Sequence, residues 1–536
     1  MNNLIDTECL IINLLYPNTI LLDYLQDKEP LRSFFPGKNK VFHPVTFRGD
    51  RGIIQELLRT YNATIEAPQE TFANIELITE EHVKFVITGQ QPGFLTGPLY
   101  TIYKTLSAIN YAEKYSTKEL KLIPLFWNAS EDHDVEEVNN IWILNKQNEI
   151  VPVELKDKEM LNKSLERLPL NKKSIRKLIE HMLYSFPETE YTKDLFDEYI
   201  NDALIKSERW GEFFSRLMVK LMGKWGLILL EPKILRPHLT DFFIDITSKV
   251  QHYNKIFQKT TDELTRMGYR PKMHKKENIV GLFYIDKDHC RENIIKTEKG
   301  DFLIGGHWQL TLEELVDRIK AEPQNFSTNA IFRPLAQDLM IPTYIFIGGP
   351  SEIGYHIQLK DLYHEFSLQQ PNLIFRMGAT IIEKHINKIL EKYSVKITDL
   401  SNVEELTNRL LRSENKEFLE PYFTIINVTL ENLQTKLNEI NKELAGRVTG
   451  RSQMIKKTLK DIEKIYIKYV KENNKIMINQ LEKARAYLFP CNKPQERVFN
   501  IFQYLNKYSP NLLICIKNLL AQTEPCNHVV LKCWMF

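Results

Sequence analysis

Residues 83–88 form a short, β-rich apolar run that closes on Gly89, the pattern of a buried strand. A glycine-punctuated loop follows, and Pro98 suits the first turn of a helix, where its missing N–H costs nothing. Leu99, Ile102, Tyr103, Leu106 and Ile109 then fall on one helical face. Residues 122–127 make a second strand one crossover helix later, so the order is that of a parallel βαβ unit. Residues 227–230, 280–285 and 344–347 read as further strands of the same core, separated by long polar helical stretches, above all 171–221. The pattern predicts an α/β fold whose core, 81–384, is a Rossmann-like parallel sheet with insertions at about 145–220 and 240–325. Residues 1–80 alternate short helical patterns with turn signals such as Phe35-Pro36-Gly37, and are expected to form an arm packing on that core.

Beyond about Lys384 the chain turns helical and charged, which predicts a helical domain over 385–536. Ile426, Leu430, Leu433, Leu437, Ile440 and Leu444 step by four and three, and the stepping resumes at Ile455, Leu459, Ile462, Tyr466 and Tyr469. Such spacing keeps one seam facing a partner helix. Gly446 and Gly450 are the expected turn of an antiparallel coiled coil over about 424–486, with one long kinked helix as the other reading. A seam of that size predicts a homodimer, with packing only inside its own chain as the alternative.

Composition narrows the function classes. The 536 residues carry 71 basic against 69 acidic side chains, a formal charge of +2. That balance offers no basic stripe for nucleic acid. Residues 456–483 are lysine-rich but include Asp461, Glu463, Glu472 and Glu482, and read as a solvated helical face. The six cysteines contain no CxxC, and Cys526, His528 and Cys533 lack a fourth partner, so no metal motif is present. No apolar run approaches the roughly 18–20 residues of a membrane span. The first 22 residues lack the basic start of a signal peptide, so a cytoplasmic protein is expected.

Four clusters can carry chemistry. The loop TGQQPGFLTGPLY (88–100) sets Gly89, Gln90, Gln91 and Gly97 between a strand and a helix that begins near Tyr100. Glycines there let the backbone approach a ligand, and a helix start favours an anion. It is neither a Walker A loop nor a GxGxxG fingerprint, and a plain tight turn is the alternative. Glu131, Asp132, His133 and Asp134 follow the second strand, where ligands of open α/β sheets bind. Their carboxylates and imidazole can hold an ammonium or transfer protons, or simply start an acidic helix. His133-Asp134 also spells the dipeptide of HD-type phosphohydrolases, but the further metal-binding helices are missing. Gly348, Gly349 and Glu352 sit at a second strand–glycine–helix junction, and Arg333, just upstream, can clamp a carboxylate or phosphate. A surface ion pair is the other use of Arg333.

Taken in order, TGQQPGFLTGPLYTIYK (88–104), PLFWNASEDHD (124–134), STNAIFRPLAQD (327–338), GGPSEIGYHIQL (348–359) and PQERVFNIFQYLNKY (494–508) resemble the bacillithiol-synthesis cysteine ligase family, BshC. The resemblance implies a core comparable to class I aminoacyl-tRNA synthetases and a C-terminal coiled coil that pairs subunits. It also implies joining of cysteine to the amino group of glucosaminyl-malate, the last step of bacillithiol synthesis. ATP activation of cysteine is expected by fold analogy. In that scheme Glu131 and Asp134 grip an ammonium, His133 moves a proton, and the 89–97 loop holds an anion. Gly348, Gly349 and Glu352 close the opposite wall, with Arg333 at a carboxylate. No motif requires zinc. Departures occur at Asn128 and Ser130, where the family commonly has an aliphatic residue and glycine, at Phe375 and Gly378, where proline and serine are frequent, and at Pro494, where leucine is common. An adenylating enzyme acting on another amine, or a ligand-sensing scaffold, are the alternative functions.

Overall fold

A computed structural model describes residues 7–10, 19–35, 45–156, 160, 162–274, 277–523 and 528–533. The turn expected at Phe35-Pro36-Gly37 extends beyond them. The chain divides into two units, one of Met1–Ile381 with Pro494–Leu531, the other centred on Ile382–Lys493. Residues 494–531, inside the helical domain expected over 385–536, fall in the first unit.

In the first unit the apolar runs become strands of one parallel sheet. The strand β1 (Val83–Gln90) leads through the glycine loop into helix α1 (Leu99–Tyr115) and strand β2 (Lys121–Asn128). Helix α2 (Trp210–Met222) precedes the short strand β3 (Ile228–Leu230). Helix α3 (Arg333–Met340), strand β4 (Thr343–Gly348), helix α4 (Pro350–His356) and strand β5 (Asn372–Phe375) complete the core. The strand order is β5-β4-β1-β2-β3, with every neighbouring pair parallel. Phe85, Val86 and Ile87 are fully buried, which explains the unbroken apolar run of β1: helices cover both faces of a parallel sheet. The free edge of β3 is closed by the helix Arg51–Thr64, whose Asn62 accepts from the Leu229 N–H (3.1 Å) and donates to its carbonyl (2.9 Å).

The chain runs outward from β1 to β3 and then returns to β4 on the other side of β1. That reversal is the topological switch point, and the ligand crevice of such sheets opens there, beyond the carboxyl ends of the strands. Gly89 and Gly348 stand at the ends of these two central strands.

One expected core strand belongs elsewhere. Ile279–Ile285 pairs antiparallel with Arg291–Lys296 and with Phe326–Thr328, inside a separate five-stranded sheet. The link from 286 to 290 suffices for a hairpin, whereas a parallel pair needs a crossover of roughly a dozen residues or more. The four-residue β5 was too short for periodicity to reveal.

In the second unit, α5 (Val403–Ile440) and α6 (Lys442–Asn473) form an antiparallel hairpin, followed by α7 (Lys475–Leu488). Phe418 stacks on Tyr466 (centroids 5.6 Å apart), and Lys456 pairs with Glu431 (3.2 Å). The turn lies at Asn441, not at Gly446 and Gly450, which are both inside α6. Asn441 breaks the helix in extended geometry, and its side chain accepts from the Glu443 and Leu444 N–H groups. An asparagine cap thus makes the turn without left-handed backbone. Of the expected seam, Leu459 is buried and Ile426, Leu430, Leu437 and Tyr466 are half-buried. Leu433, Ile440, Leu444, Ile455, Ile462 and Tyr469 remain exposed.

Candidate functional site

The two glycine junctions are tied together by a residue that sequence patterning missed. Tyr100 and Lys104 lie one helical turn apart on α1 and share a face. The buried Lys104 Nζ donates to the Gly89 carbonyl, to Gln90 Oε1 (3.2 Å) and to Glu352 Oε2 (2.7 Å). All three ammonium donors are therefore used. Burial holds the Lys104 pKa below the ordinary lysine value, and the Glu352 carboxylate opposes that shift. Glu352 also accepts from the Gly349 N–H (2.7 Å), so it caps α4 while pairing with Lys104 across the switch point. Gly89 is needed because a Cβ there would come within 2.7 Å of the Trp127 carbonyl on β2.

The loop that follows is held in unfavourable backbone geometry. Leu95 (φ 45°), Thr96 (φ 74°) and Gly97 (φ 71°) are consecutive positive-φ residues, and the first two carry side chains that resist it. Asn500 compensates by donating through Nδ2 to the Leu95 and Gly97 carbonyls, both at 2.7 Å. Trp210 Nε1 donates to the Pro92 carbonyl (2.6 Å) from the other side. The first N–H of α1, on Leu99, donates to the Phe499 carbonyl (2.8 Å). That donor is not open to an anion as expected, because the 499–500 segment covers it. Lys104, Arg333 and Arg376 add positive side chains near the same junctions.

The acidic tetrad separates into distinct environments. Glu131 is buried against Arg236 (3.4 Å), which also holds Glu166 through both terminal nitrogens at 2.7 Å. Burial raises the Glu131 pKa, with Arg236 acting against the shift. Asp132 accepts from Gln91 Nε2 (2.7 Å), joining the glycine loop to this one. His133 is about one-third exposed, with Nδ1 3.6 Å from Asp132 Oδ1 and 3.5 Å from Arg291 Nη1. Partial burial and then the Arg291 charge hold the imidazole pKa below its ordinary value, so the ring is neutral near pH 7. Asp134 is exposed. Glu131 and Asp134 do not converge on one ammonium: the first is enclosed with Arg236, the second faces solvent.

Arg333, partly buried, donates to Gln337 Oε1 and Tyr355 Oη, each at 3.0 Å, and lies 5.9 Å from the Trp127 ring centroid. Gln90 Nε2 donates to Tyr100 Oη (3.2 Å). Arg376, whose N–H donates to the Gly348 carbonyl (2.9 Å), is buried and grips Glu496 through both terminal nitrogens. Asn128 donates to the Gly211 carbonyl (3.0 Å) and Ser215 Oγ (2.9 Å), giving that family departure a packing role. Lys104, Glu496 and Asn500 fall inside quoted motifs and Arg376 between two family departures, yet only contacts across more than a hundred positions reveal their tasks.

Cys526 lies outside the described residues. His528 Nε2 is 2.8 Å from Thr380 Oγ1, and burial pushes its pKa down to about 3. Among the described residues, Asp286, Cys290 and Glu292 place possible ligand atoms within 4.8 Å of one another. Asp286 already accepts from the Asp288 and Cys290 N–H groups of its turn. No described helix is long and apolar enough to cross a membrane.

Comparison with known proteins agrees with this architecture. Residues 6–377 match the model of the bacillithiol biosynthesis BshC N-terminal Rossmann-like domain, and 379–533 match that of the BshC C-terminal coiled-coil domain. A Bacillus cereus (strain AH820) protein named "Putative cysteine ligase BshC" is 31% identical over 508 residues, covering 91% of this chain and 93% of that one. A protein of the same name from Bacillus thuringiensis (strain Al Hakam) is 31% identical over 530 residues, covering 95% and 97%. One from Bacillus cytotoxicus is 31% identical over 493 residues, covering 89% and 90%. With a Rossmann-like sheet in one unit, a helical hairpin in the other and both family domains matched, the chain belongs to the bacillithiol biosynthesis BshC family.

Proposed function

We propose that the switch-point crevice joins L-cysteine to the amino group of glucosaminyl-malate, forming an amide after ATP activates the cysteine carboxylate. The observation that carries this reading is the meeting of Gly89, Gly348, Lys104, Glu352 and Arg333 at one crevice, linked through Gln91 and Asp132 to a neutral His133. ATP enters through the likeness of the core to class I synthetases. The new C–N bond replaces the C–O bond from the cysteine carboxyl carbon to the activating phosphate, which leaves with that electron pair. The proton lost by the attacking nitrogen goes to His133, whose imidazole is free to accept it. Arg333 holds a carboxylate, since its present partners are both neutral. Asp132, fixed by Gln91, orients the His133 loop, and Asp134 offers an exposed carboxylate to an incoming ammonium.

Pairing of two copies is part of the same proposal. Ile440, Ile465 and Ile476 are 70–75% exposed on the hairpin and the helix after it, and they accompany the exposed half of the seam. Such an apolar surface favours a second subunit.

The test is incubation of the full-length protein with ATP, cysteine and glucosaminyl-malate, followed by mass spectrometry. A cysteinyl conjugate formed in step with ATP consumption, and lost in His133→Ala, supports the ligase. ATP consumption with another amine but not this one would assign a different acceptor.

A further inference from the structure

The cations around the switch point are not all held in close ion pairs. Lys104 is matched by Glu352, and Arg376 by Glu496. Two guanidinium groups remain. Arg333 donates only to neutral acceptors, Gln337 and Tyr355. Arg497 makes no side-chain hydrogen bond or ion pair among the described residues, although it is exposed on a rigid support. Gln495, next but one in the chain, accepts from the Ile381 N–H (2.8 Å) and donates to its carbonyl (2.9 Å). Glu496 is buried in the grip of Arg376. The turn therefore presents Arg497 in a fixed place, 5.7 Å over the Tyr100 ring, while Arg376 approaches the same ring at 5.8 Å.

Gathering like charges on one aromatic ring is unfavourable unless an anion joins them. Tyr100 is tied to Gln90, and Gln90 to Lys104, so this ring borders the crevice. On the other side Arg333 lies near Trp127, whose indole N–H is buried and without a partner among the described residues. Arg333 and Arg497 thus make no close ion pair among the described residues, although Glu352 and Glu131 act on Arg333 from farther away and Glu496 lies beside Arg497, and Trp127 adds a spare donor.

We propose that Arg497 is a specificity-determining residue: it binds one carboxylate of a dicarboxylate-bearing acceptor, and Arg333 takes the other. This rests on the ligase reading and deepens it. A neutral amino sugar would leave both guanidinium groups bare, whereas a malyl group, with two carboxylates, neutralises both. The side chain of Tyr100 is the platform that aligns the Arg497 fork.

The test is titration calorimetry of the full-length protein with L-malate and, as a one-carboxylate probe, L-lactate. Wild type is expected to prefer malate. Arg497→Gln should weaken malate binding roughly 10- to 100-fold and leave lactate unchanged, with Arg497→Lys recovering part of the loss. Equal binding of the two acids by wild type, or an Arg497→Gln variant that loses both alike or neither, overturns the proposal. The conjugation assay separates the two ideas. Conjugate formed by a protein whose malate affinity ignores Arg497 refutes this inference alone. Arg497-dependent malate binding without any conjugate refutes the ligase reading alone.

Discussion

The Lys104–Glu352 tie and the His133 loop border one crevice but are built in opposite ways. Lys104 is buried and satisfied in all three donors, so it fixes β1 against α4. The His133 ring has only long polar contacts, 3.5 and 3.6 Å, and is about one-third exposed. The first region ties the end of β1 to the start of α4. The second leaves an imidazole free to change protonation. In the proposed site, rigidity and proton transfer thus fall to different residues.

Removing His133 should expose that division most clearly. His133→Ala is expected to lower turnover about 10²- to 10⁴-fold while leaving the melting temperature unchanged. Its pKa lies below the ordinary value, so the acid limb of the rate profile should fall below about pH 6.5. In the proposed mechanism the neutral form accepts the proton, so activity should be lost as pH drops through the lowered pKa. A limb displaced upward would mean that Asp132, not burial, governs the ring.

Lys104→Met should do the reverse and destabilise the fold by about 3 kcal/mol, because it leaves Glu352 without its cation. The double variant with Glu352→Gln should be less destabilised than the sum of the singles, as read from denaturant midpoints. Additive losses would show that the pair is not a unit. Asn500→Ala should cost about 1–3 kcal/mol and raise KM more than it lowers kcat, since it frees the strained 95–97 loop. Asn441→Ala should cost only about 1 kcal/mol, confined to the hairpin, and leave conjugation intact.

The sheet was legible because β1 and β2 are apolar along their whole length and flank an amphipathic helix. The place of 279–285 was not, since a buried antiparallel strand and a buried parallel one share the same residues and differ only in the length of their links. Glycines at 89 and 97 announced a junction: a Cβ at 89 would strike the Trp127 carbonyl, and 97 takes a positive φ. Gly446 and Gly450 announced a turn that the chain makes instead with Asn441. At the site, residue types were visible but pairing was not. Glu131 looked equivalent to Asp134 until Arg236, 105 positions away, enclosed it. Nothing in the pattern singled out Lys104, and only the nearness of Gly89 and Glu352 shows its task.

Hydrogen exchange, with and without ATP and cysteine, tests the placement of the site most directly. The account predicts slowed exchange in peptides covering 88–104, 129–135 and 346–356, with the hairpin around Asn441 unaffected. Protection confined to the hairpin, with these three segments unchanged, would contradict a crevice at the switch point.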